Sequence, residues 1–252
     1  MCRHLAYLGP AATLRSVIID PPHGLYRQAW APRRQRHGTV NADGFGIGWY
    51  ADGDPVPARY RRDVPMWNDG SLPDLARVTR SRSVLGAVRS ASPGMALGEA
   101  AVAPFASGRW LFSHNGVLEG WPGSAEGLLS PGRVFSLEAM VDSAFLWALV
   151  LGRLESGDPP DVALAETIGA IEAAGGTGRF NFLMTDGRSV VATAAGDTLW
   201  YRQAEGAIVV ASEPSDDEPG WTEVPDRQVL TAAPDRVTVR PLTVHTERIA
   251  VR

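Results

Sequence analysis

The residue best equipped for covalent chemistry is the second. The chain opens MCRHLAYLG, and Cys2 is the single cysteine among 252 residues. A small residue after the initiator methionine suits methionine aminopeptidases, so Met1 is expected to be removed. Removal puts a thiol and a free α-amine on one residue. An α-amine titrates near ~8, about two units below a lysine, and accepts a thiol proton at neutral pH. A nucleophile that carries its own base needs no histidine partner to attack a carbonyl. The competing reading is a buried or incidental cysteine near a terminus.

Three further places carry polar groups where chemistry needs them. SVLGAVRS (83–90) is an apolar strand that ends in Arg89, just before the loop SASPG. An arginine there is either a surface residue or a planar fork for a carboxylate. RWLFSHNG (109–116) is a second strand, and it runs into Asn115-Gly116. That dipeptide reads as a type I′ hairpin turn. It also reads as an oxyanion hole, with a side-chain amide and a backbone N–H aimed at one point. Asp142 reads as the N-cap of a helix within 136–155, whose Phe145, Leu146, Leu149 and Val150 share a face.

The elements that would position these groups follow from periodicity and turn chemistry. Residues 3–8 predict a buried strand that pins Cys2 to the core. Residues 13–20 predict a helix with Leu14, Val17 and Ile18 on one face, stopped by Pro21-Pro22. Residues 23–41 read as loop. In NADGFGIGWY (41–50) a turn leads into a strand with Phe45, Ile47 and Trp49 on one face and bare glycine on the other. Bare glycine marks close approach by another backbone or a ligand, or else plain sheet packing. A hairpin at Asp52-Gly53, a strand over 57–61 and a weak helix over 71–80 come next. A helix over 161–174 carries Val162, Leu164, Ala165, Ile168 and Ile171 as its buried stripe. From 179 onward RFNFLMTDG, SVVATAAG, TLWYRQ and AIVVASEP are short strands split by turns, and QVLTAA, RVTVR and TVHTERIAVR close the chain.

Composition narrows the function classes. A hydrophobic fraction of 44% fits a chain that buries a substantial core. The net charge is −4, and the densest basic clusters, Arg33/Arg34/Arg36 and Arg59/Arg61/Arg62, are short and read as solvated loop, so no nucleic-acid partner is expected. One cysteine excludes an internal disulfide and any multi-cysteine metal site. The start lacks a signal-peptide pattern, and no apolar run is long enough for a bilayer, so no membrane association and a cytoplasmic location are expected. Strands and helices in this order fit two packed sheets with helices outside them.

In order and spacing, Cys2, DGFGIGWY, Arg89 at its strand end, SHNG (113–116) and the Asp142-Ser143 pair resemble the class II glutamine amidotransferases. The resemblance covers the whole chain. CRHLAYLG, NADGFGIGWY, RYRRDVPMWND, AVRSASPG, WLFSHNGVLEGW, RFNFLMTDG and ASEPSDDEPGW are similar, further, to stand-alone members that hydrolyse γ-glutamyl-hercynylcysteine S-oxide in ergothioneine biosynthesis. The resemblance implies an α+β fold, a four-layer α/β/β/α sandwich of two mainly antiparallel sheets (the N-terminal nucleophile hydrolase fold). It implies one domain over 1–252, a small-molecule γ-glutamyl substrate, no cofactor and no metal. It implies Cys2 as nucleophile, Arg89 on the glutamyl α-carboxylate, Asp142 on its α-ammonium, and Asn115 and Gly116 as oxyanion hole. Many glutamine-using relatives carry a Thr-His pair shortly after the arginine, where this chain has Ser90, Ala91 and Ser92. Two rival readings share these residues or the fold: a glutaminase subunit that hands ammonia to a separate synthase, and a non-catalytic binding module. His23, His37 and His114 read as structural, and no tryptophan, Trp49, Trp67, Trp110 and Trp121 included, is singled out as a site. The oligomeric state is not encoded in any pattern.

Overall fold

The computed structural model describes residues 2–92, 94–204 and 206–243. The strand expected over 243–252 falls, apart from Thr243, outside them. In chain order the first elements are β1 (Arg3–Thr13), α1 (Leu14–Ile18), α2 (Leu25–Gln28), β2 (Phe45–Trp49), β3 (Ala58–Arg62), α3 (Leu72–Val78) and β4 (Arg80–Val88). Then come β5 (Phe105–Ser107), β6 (Trp110–Leu118), α4 (Pro131–Val134), α5 (Asp142–Glu155) and α6 (Pro160–Ala173). The last part holds β7 (Gly178–Thr185), β8 (Val190–Ala194), β9 (Trp200–Ala204), β10 (Ala207–Ala211), β11 (Thr222–Glu223), β12 (Gln228–Ala233) and β13 (Arg236–Pro241).

Every strand pairing among the described residues is antiparallel, and the strands form two sheets. One has the order β11-β9-β10-β1-β4-β2-β3, the other β13-β12-β8-β7-β6-β5. Three buried clusters separate four layers, as the expected α/β/β/α sandwich requires. Leu14, Ile18, Leu25 and Leu72 of the first three helices pack on Leu5, Phe45, Ile47 and Val84. Ala6, Leu8 and Leu85 meet Leu111, Leu183 and Leu230 between the sheets. Phe145, Leu146, Leu164 and Ile168 pack on Phe112, Phe180 and Phe182. Each sheet is therefore buried on both faces, which explains why its strands read as nearly continuous apolar runs. No described helix is long and apolar enough to cross a membrane.

The bare face of β2 is explained by packing. A Cβ on Gly46 would lie 2.2 Å from the Ala103 carbonyl oxygen, and one on Gly48 would lie 2.7 Å from Leu111. Of the two meanings of strand glycine, close approach by the opposite layer is the one realised.

Several local expectations shift. Asn115-Gly116 is no hairpin turn; both residues lie inside β6, opposite Asn181 and Phe180. The helix expected within 136–155 begins at Asp142, with Val141 in the capping position, so Asp142 is its first helical residue. The loop over 23–41 contains the short α2. Arg59 and Arg61 are not solvated loop. They lie on the edge strand β3, where they pair with Glu138 at 3.0 and 2.9 Å and donate to the Pro104 and Val102 carbonyls. That edge is thereby covered and tied to the segment leading into α5.

Candidate active site

Cys2 immediately precedes β1, which is interior to its sheet with β4 on one side and β10 on the other. Arg3 fixes it from beneath. This side chain is fully buried, donates through Nε to the Cys2 carbonyl at 3.0 Å, and reaches Asp197 Oδ1 at 3.4 Å and Glu213 Oε2 at 3.9 Å. Glu213 in turn accepts from the Arg33 and Arg34 backbone N–H groups at 2.8 Å each. A buried arginine needs such partners, because an unpaired charge there costs several kcal/mol, on the order of 3–5. Cys2 is thus held by a network whose carboxylates, Asp197 and Glu213, come from the far end of the chain.

Asn115 faces Cys2 from the other sheet. Its Oδ1 accepts from Cys2 N at 3.2 Å, and its Nδ2 donates to Ser212 Oγ at 3.4 Å. Ser212 is buried and also accepts from the His4 N–H at 3.0 Å. A side-chain amide has two N–H donors, so the Ser212 contact leaves one for another acceptor.

The register of β6 determines where the Gly116 N–H points. In an antiparallel ladder each residue turns its N–H and C=O either to the partner strand or away from it. Gly116 is opposite Phe180, whose N–H donates to the Ala195 carbonyl and whose carbonyl accepts from Thr193 Oγ1. Phe180 therefore faces β8, and Gly116 turns its N–H to the side of β5. There β5 pairs only with Trp110–Phe112, leaving that edge of β6 open at Gly116. Leu118, two residues on and facing the same way, donates its N–H to Asp142 Oδ2 at 3.0 Å. Glycine is required here: a Cβ would lie 1.9 Å from the Arg179 carbonyl oxygen and 2.6 Å from His114 Nε2.

Asp142 is buried, and its Oδ1 also accepts from the Ser143 N–H at 2.7 Å. His114 braces Ser143 through Nδ1 at 3.1 Å and, through Nε2, reaches the Arg179 carbonyl at 2.9 Å. The carbonyl only accepts, so Nε2 carries the proton and Nδ1 accepts from Ser143. Burial holds this imidazole below the ordinary histidine range, with the Asp142 charge working partly against it. His4 is pushed down to about 3 by burial first, then by the Arg3 charge and by His114. Both histidines are neutral fixtures, in line with a structural role.

Arg89 follows β4. Its backbone is locked to the 41–44 turn: Arg89 N–H donates to Gly44 O at 2.8 Å, Asp43 N–H donates to Arg89 O at 2.9 Å, and Asp43 Oδ2 accepts from Ala91 N–H at 2.8 Å. Arg89 is 8% exposed; its guanidinium donates from Nη2 to Ala96 O at 2.9 Å and leaves Nη1 buried without a partner among the described residues.

These groups converge. One narrow cavity is lined by Cys2, Arg89, Gly116 and Asp142 together with Ser90, Met95 and Ser143, and Asn115 touches Cys2 directly. The five residues singled out in the sequence are thus gathered at one end of the sandwich. A wider cavity, about 440 Å³, lies at the other end of β4, around Tyr50, Arg82, Arg109 and Asp186. It has no thiol, and its Tyr50 hydroxyl is committed to the Arg109 and Thr185 carbonyls. Chemistry, not size, selects the candidate site.

Arg3, Asp43, Ser143 and Ser212 support the site without having been assigned that role from the sequence. Arg3 had a readable signal, a cation inside an otherwise apolar strand. Ser212 had none, since its role depends on how β10 docks beside β1.

Comparison with known proteins agrees with this geometry. The family model described as glutamine amidotransferases class-II matches residues 24–206. The γ-glutamyl-hercynylcysteine sulfoxide hydrolase of Mycolicibacterium smegmatis is 42% identical over 242 residues, covering 96% of this chain and 100% of that protein. The protein of the same name from Mycobacterium tuberculosis is 40% identical, over 96% of this chain and 97% of its own length. Among solved structures, a glutamine aminotransferase class-II domain protein from Silicibacter pomeroyi superposes with a TM-score of 0.71 at 26% identity, over 96% of this chain and 100% of that one. With a family match over most of its length and relatives this similar end to end, the chain belongs to the class II glutamine amidotransferases.

Proposed function

We propose that this protein is an amidohydrolase that cleaves the γ-glutamyl amide of γ-glutamyl-hercynylcysteine S-oxide, yielding glutamate and hercynylcysteine S-oxide, a step of ergothioneine biosynthesis. The observation that carries the reading is the pair of opposite buried charges beside one thiol. Arg89, whose Nη1 is buried and unpartnered among the described residues, lines the same cavity as Asp142 and Cys2. A γ-glutamyl group ends in a carboxylate and an ammonium on one carbon, and two fixed counter-charges orient its γ-carbonyl over the sulfur. The names and full-length similarity of the mycobacterial relatives support the rest of the substrate.

The chemistry follows from the positions of the groups. Loss of Met1 turns Cys2 N from an amide into a primary amine, and the Asn115 Oδ1 contact orients it. The amine takes the thiol proton and Sγ attacks the γ-carbonyl carbon. The oxyanion meets the Gly116 N–H and the second N–H of Asn115 Nδ2. Losing one such donor typically raises the barrier by about 2.7–4 kcal/mol. The ammonium returns its proton to the departing amine, leaving a γ-glutamyl thioester. Water, deprotonated by the same amine, then releases glutamate and regenerates the thiol.

The test is intact-protein mass spectrometry combined with glutamate release, run in parallel on the sulfoxide substrate and on glutamine. Loss of Met1 and much faster glutamate release from the sulfoxide are expected. Faster turnover of glutamine would move the protein to the ammonia-supplying class. Retained Met1 with no turnover of either would leave a binding module.

A further inference from the structure

The glutamyl anchors lie on one side of the nucleophile, and the structure offers a receptor for the leaving half on the other. Arg89 follows β4, which flanks β1 on one side; β10 and then β9 flank it on the opposite side. A substrate whose carboxylate is drawn toward β4 sends its departing amine toward β10 and β9. In that direction lies a cavity of about 160 Å³ lined by Arg33, Arg34, Trp200, Glu213, Asp216 and Trp221, among others. It adjoins the catalytic end through Glu213, which reaches the same Arg3 that holds the Cys2 carbonyl.

Two features set this cavity apart from a solvated surface. Its indole faces already attract cations: the exposed Arg34 guanidinium stands 4.6 Å from the Trp200 ring, and Arg202 stands 5.7 Å from Trp221. Its acidic wall is built rather than loose. Asp216 Oδ1 accepts from Arg202 Nη1 at 2.7 Å and from Trp221 Nε1 at 2.9 Å. Trp200 Nε1, by contrast, is a buried donor with no partner among the described residues. Aromatic faces beside carboxylates are the recognised receptor for a quaternary ammonium, which cannot donate a hydrogen bond. Arg34 at the rim supplies the complement for a carboxylate, whereas Arg33 Nη1 is already paired with Asp217 Oδ1 at 2.6 Å.

We propose that this cavity seats the trimethylammonium carboxylate of the hercynyl group, with Trp200 and Trp221 receiving the quaternary ammonium and Arg34 the carboxylate. The assignment rests on the hydrolase reading above. Arg34 occupies the Trp200 face until the ligand arrives. It then turns from the indole to the carboxylate, so one exposed side chain exchanges a cation–π contact for an ion pair. The two ends of the substrate are thus read by the same logic, a zwitterion at each end of a scissile amide.

The experiment compares kcat/KM for the sulfoxide substrate with that for γ-glutamyl p-nitroanilide, in the wild type and in Trp200→Leu and Trp221→Leu. Each variant is expected to lose about tenfold on the sulfoxide substrate and less than twofold on the anilide, whose rate also reports an intact fold. Calorimetric titration of the wild type with hercynine and with histidine is run alongside, and hercynine is expected to bind at least about tenfold tighter because of its three methyls. Equal losses on both substrates, no loss on either, or equal binding of the two ligands would overturn the subsite while leaving the hydrolase reading intact. Equal turnover of sulfoxide and glutamine by the wild type, with hercynine still bound and released by Trp200→Leu, would sink the substrate assignment and keep the betaine receptor.

Discussion

Replacing Arg89 by methionine tests the reasoning most directly, because it moves activity and stability in different directions. The guanidinium is nearly buried and has one hydrogen bond to protein, from Nη2 to Ala96 O. Among the described residues no carboxylate lies within ion-pair distance of it. A charge in that position bears a desolvation cost of several kcal/mol that an anion would offset. Methionine keeps much of the stem, removes the charge and forfeits one hydrogen bond worth roughly 1 kcal/mol. The free enzyme should therefore melt at the same temperature or a few degrees higher. Catalysis should suffer: a charge-assisted contact to the α-carboxylate is worth about 1.5–3 kcal/mol, or roughly 10- to 200-fold in kcat/KM. Bound glutamate at 100 times its Kd stabilises a protein by about 2.7 kcal/mol. For a chain of this size that is roughly 5–11 °C in Tm, and the variant should lose it. The assays are steady-state hydrolysis of the γ-glutamyl substrate and thermal melts with and without glutamate. A clear fall in the Tm of the ligand-free variant, or unchanged kinetics, would refute the idea that Arg89 is held in wait for an anion.

Other consequences can be checked on the same material. Cys2→Ala should abolish turnover and any +glutamyl mass adduct while shifting stability by no more than ~0.5 kcal/mol, as for a small, partly exposed side chain; residual turnover measured by glutamate release would displace Cys2 as nucleophile. Arg3→Met should cost about 3–5 kcal/mol, seen as a drop of roughly 6–20 °C in Tm, because Asp197 and Glu213 lose their buried counter-charge; a drop under 2 °C would show the network to be energetically idle. The neutral His4 predicts acid sensitivity. Its folded pKa, about 3, lies below the unfolded value of 6.5, so the unfolded chain binds the proton first as pH falls. The stability it contributes is complete above pH ~6.5 and is lost between there and the folded value, by up to about 1.4 kcal/mol per pH unit. Melts from pH 7 to 4 should show this slope, and His4→Gln should flatten it; an identical slope in the variant would reject the assignment.

The sandwich and its site differ in how much of each the residues disclose locally. The apolar runs of β1, β4, β6 and β7 announce strands, and the acidic start and amphipathic body of α5 announce a helix, because these are properties of a few neighbouring residues. Asn115-Gly116 misled as a turn for the same reason. The local signal is strong, but the β6–β7 register and the open edge beyond β5 override it, and neither exists until distant strands have paired. Gly46 and Gly48 were ambiguous on their own, and the answer lay with Ala103 and Leu111 in the opposite layer. Arg3 is the sharpest case. Nothing near it in sequence explains a buried cation, and its partners Asp197, Thr198 and Glu213 come from the other end of the chain.

The same separation of local and distant contributions explains how the site keeps its two charges apart. Arg89 and Asp142 line one narrow cavity with opposite signs, and an ion pair between them would satisfy both and close the site. Each is instead tethered by backbone. Ala96 O takes one face of the guanidinium, while the Leu118 and Ser143 N–H groups take the carboxylate. The tethers belong to different layers: Asp43, just before β2, locks the Arg89 turn to one sheet, and β6 and α5 hold Asp142 on the other. Packing between the sheets therefore sets the distance between the charges. On the proposed reading, a ligand that carries its own ammonium and carboxylate bridges that gap, whereas one lacking either group leaves a buried charge uncompensated. Discrimination of this kind, by leaving a polar group unpaired, is much stronger than shape alone provides. On the same reading, the rigidity of a four-layer core is a condition of the proposed chemistry, because a softer one would let Arg89 and Asp142 neutralise each other.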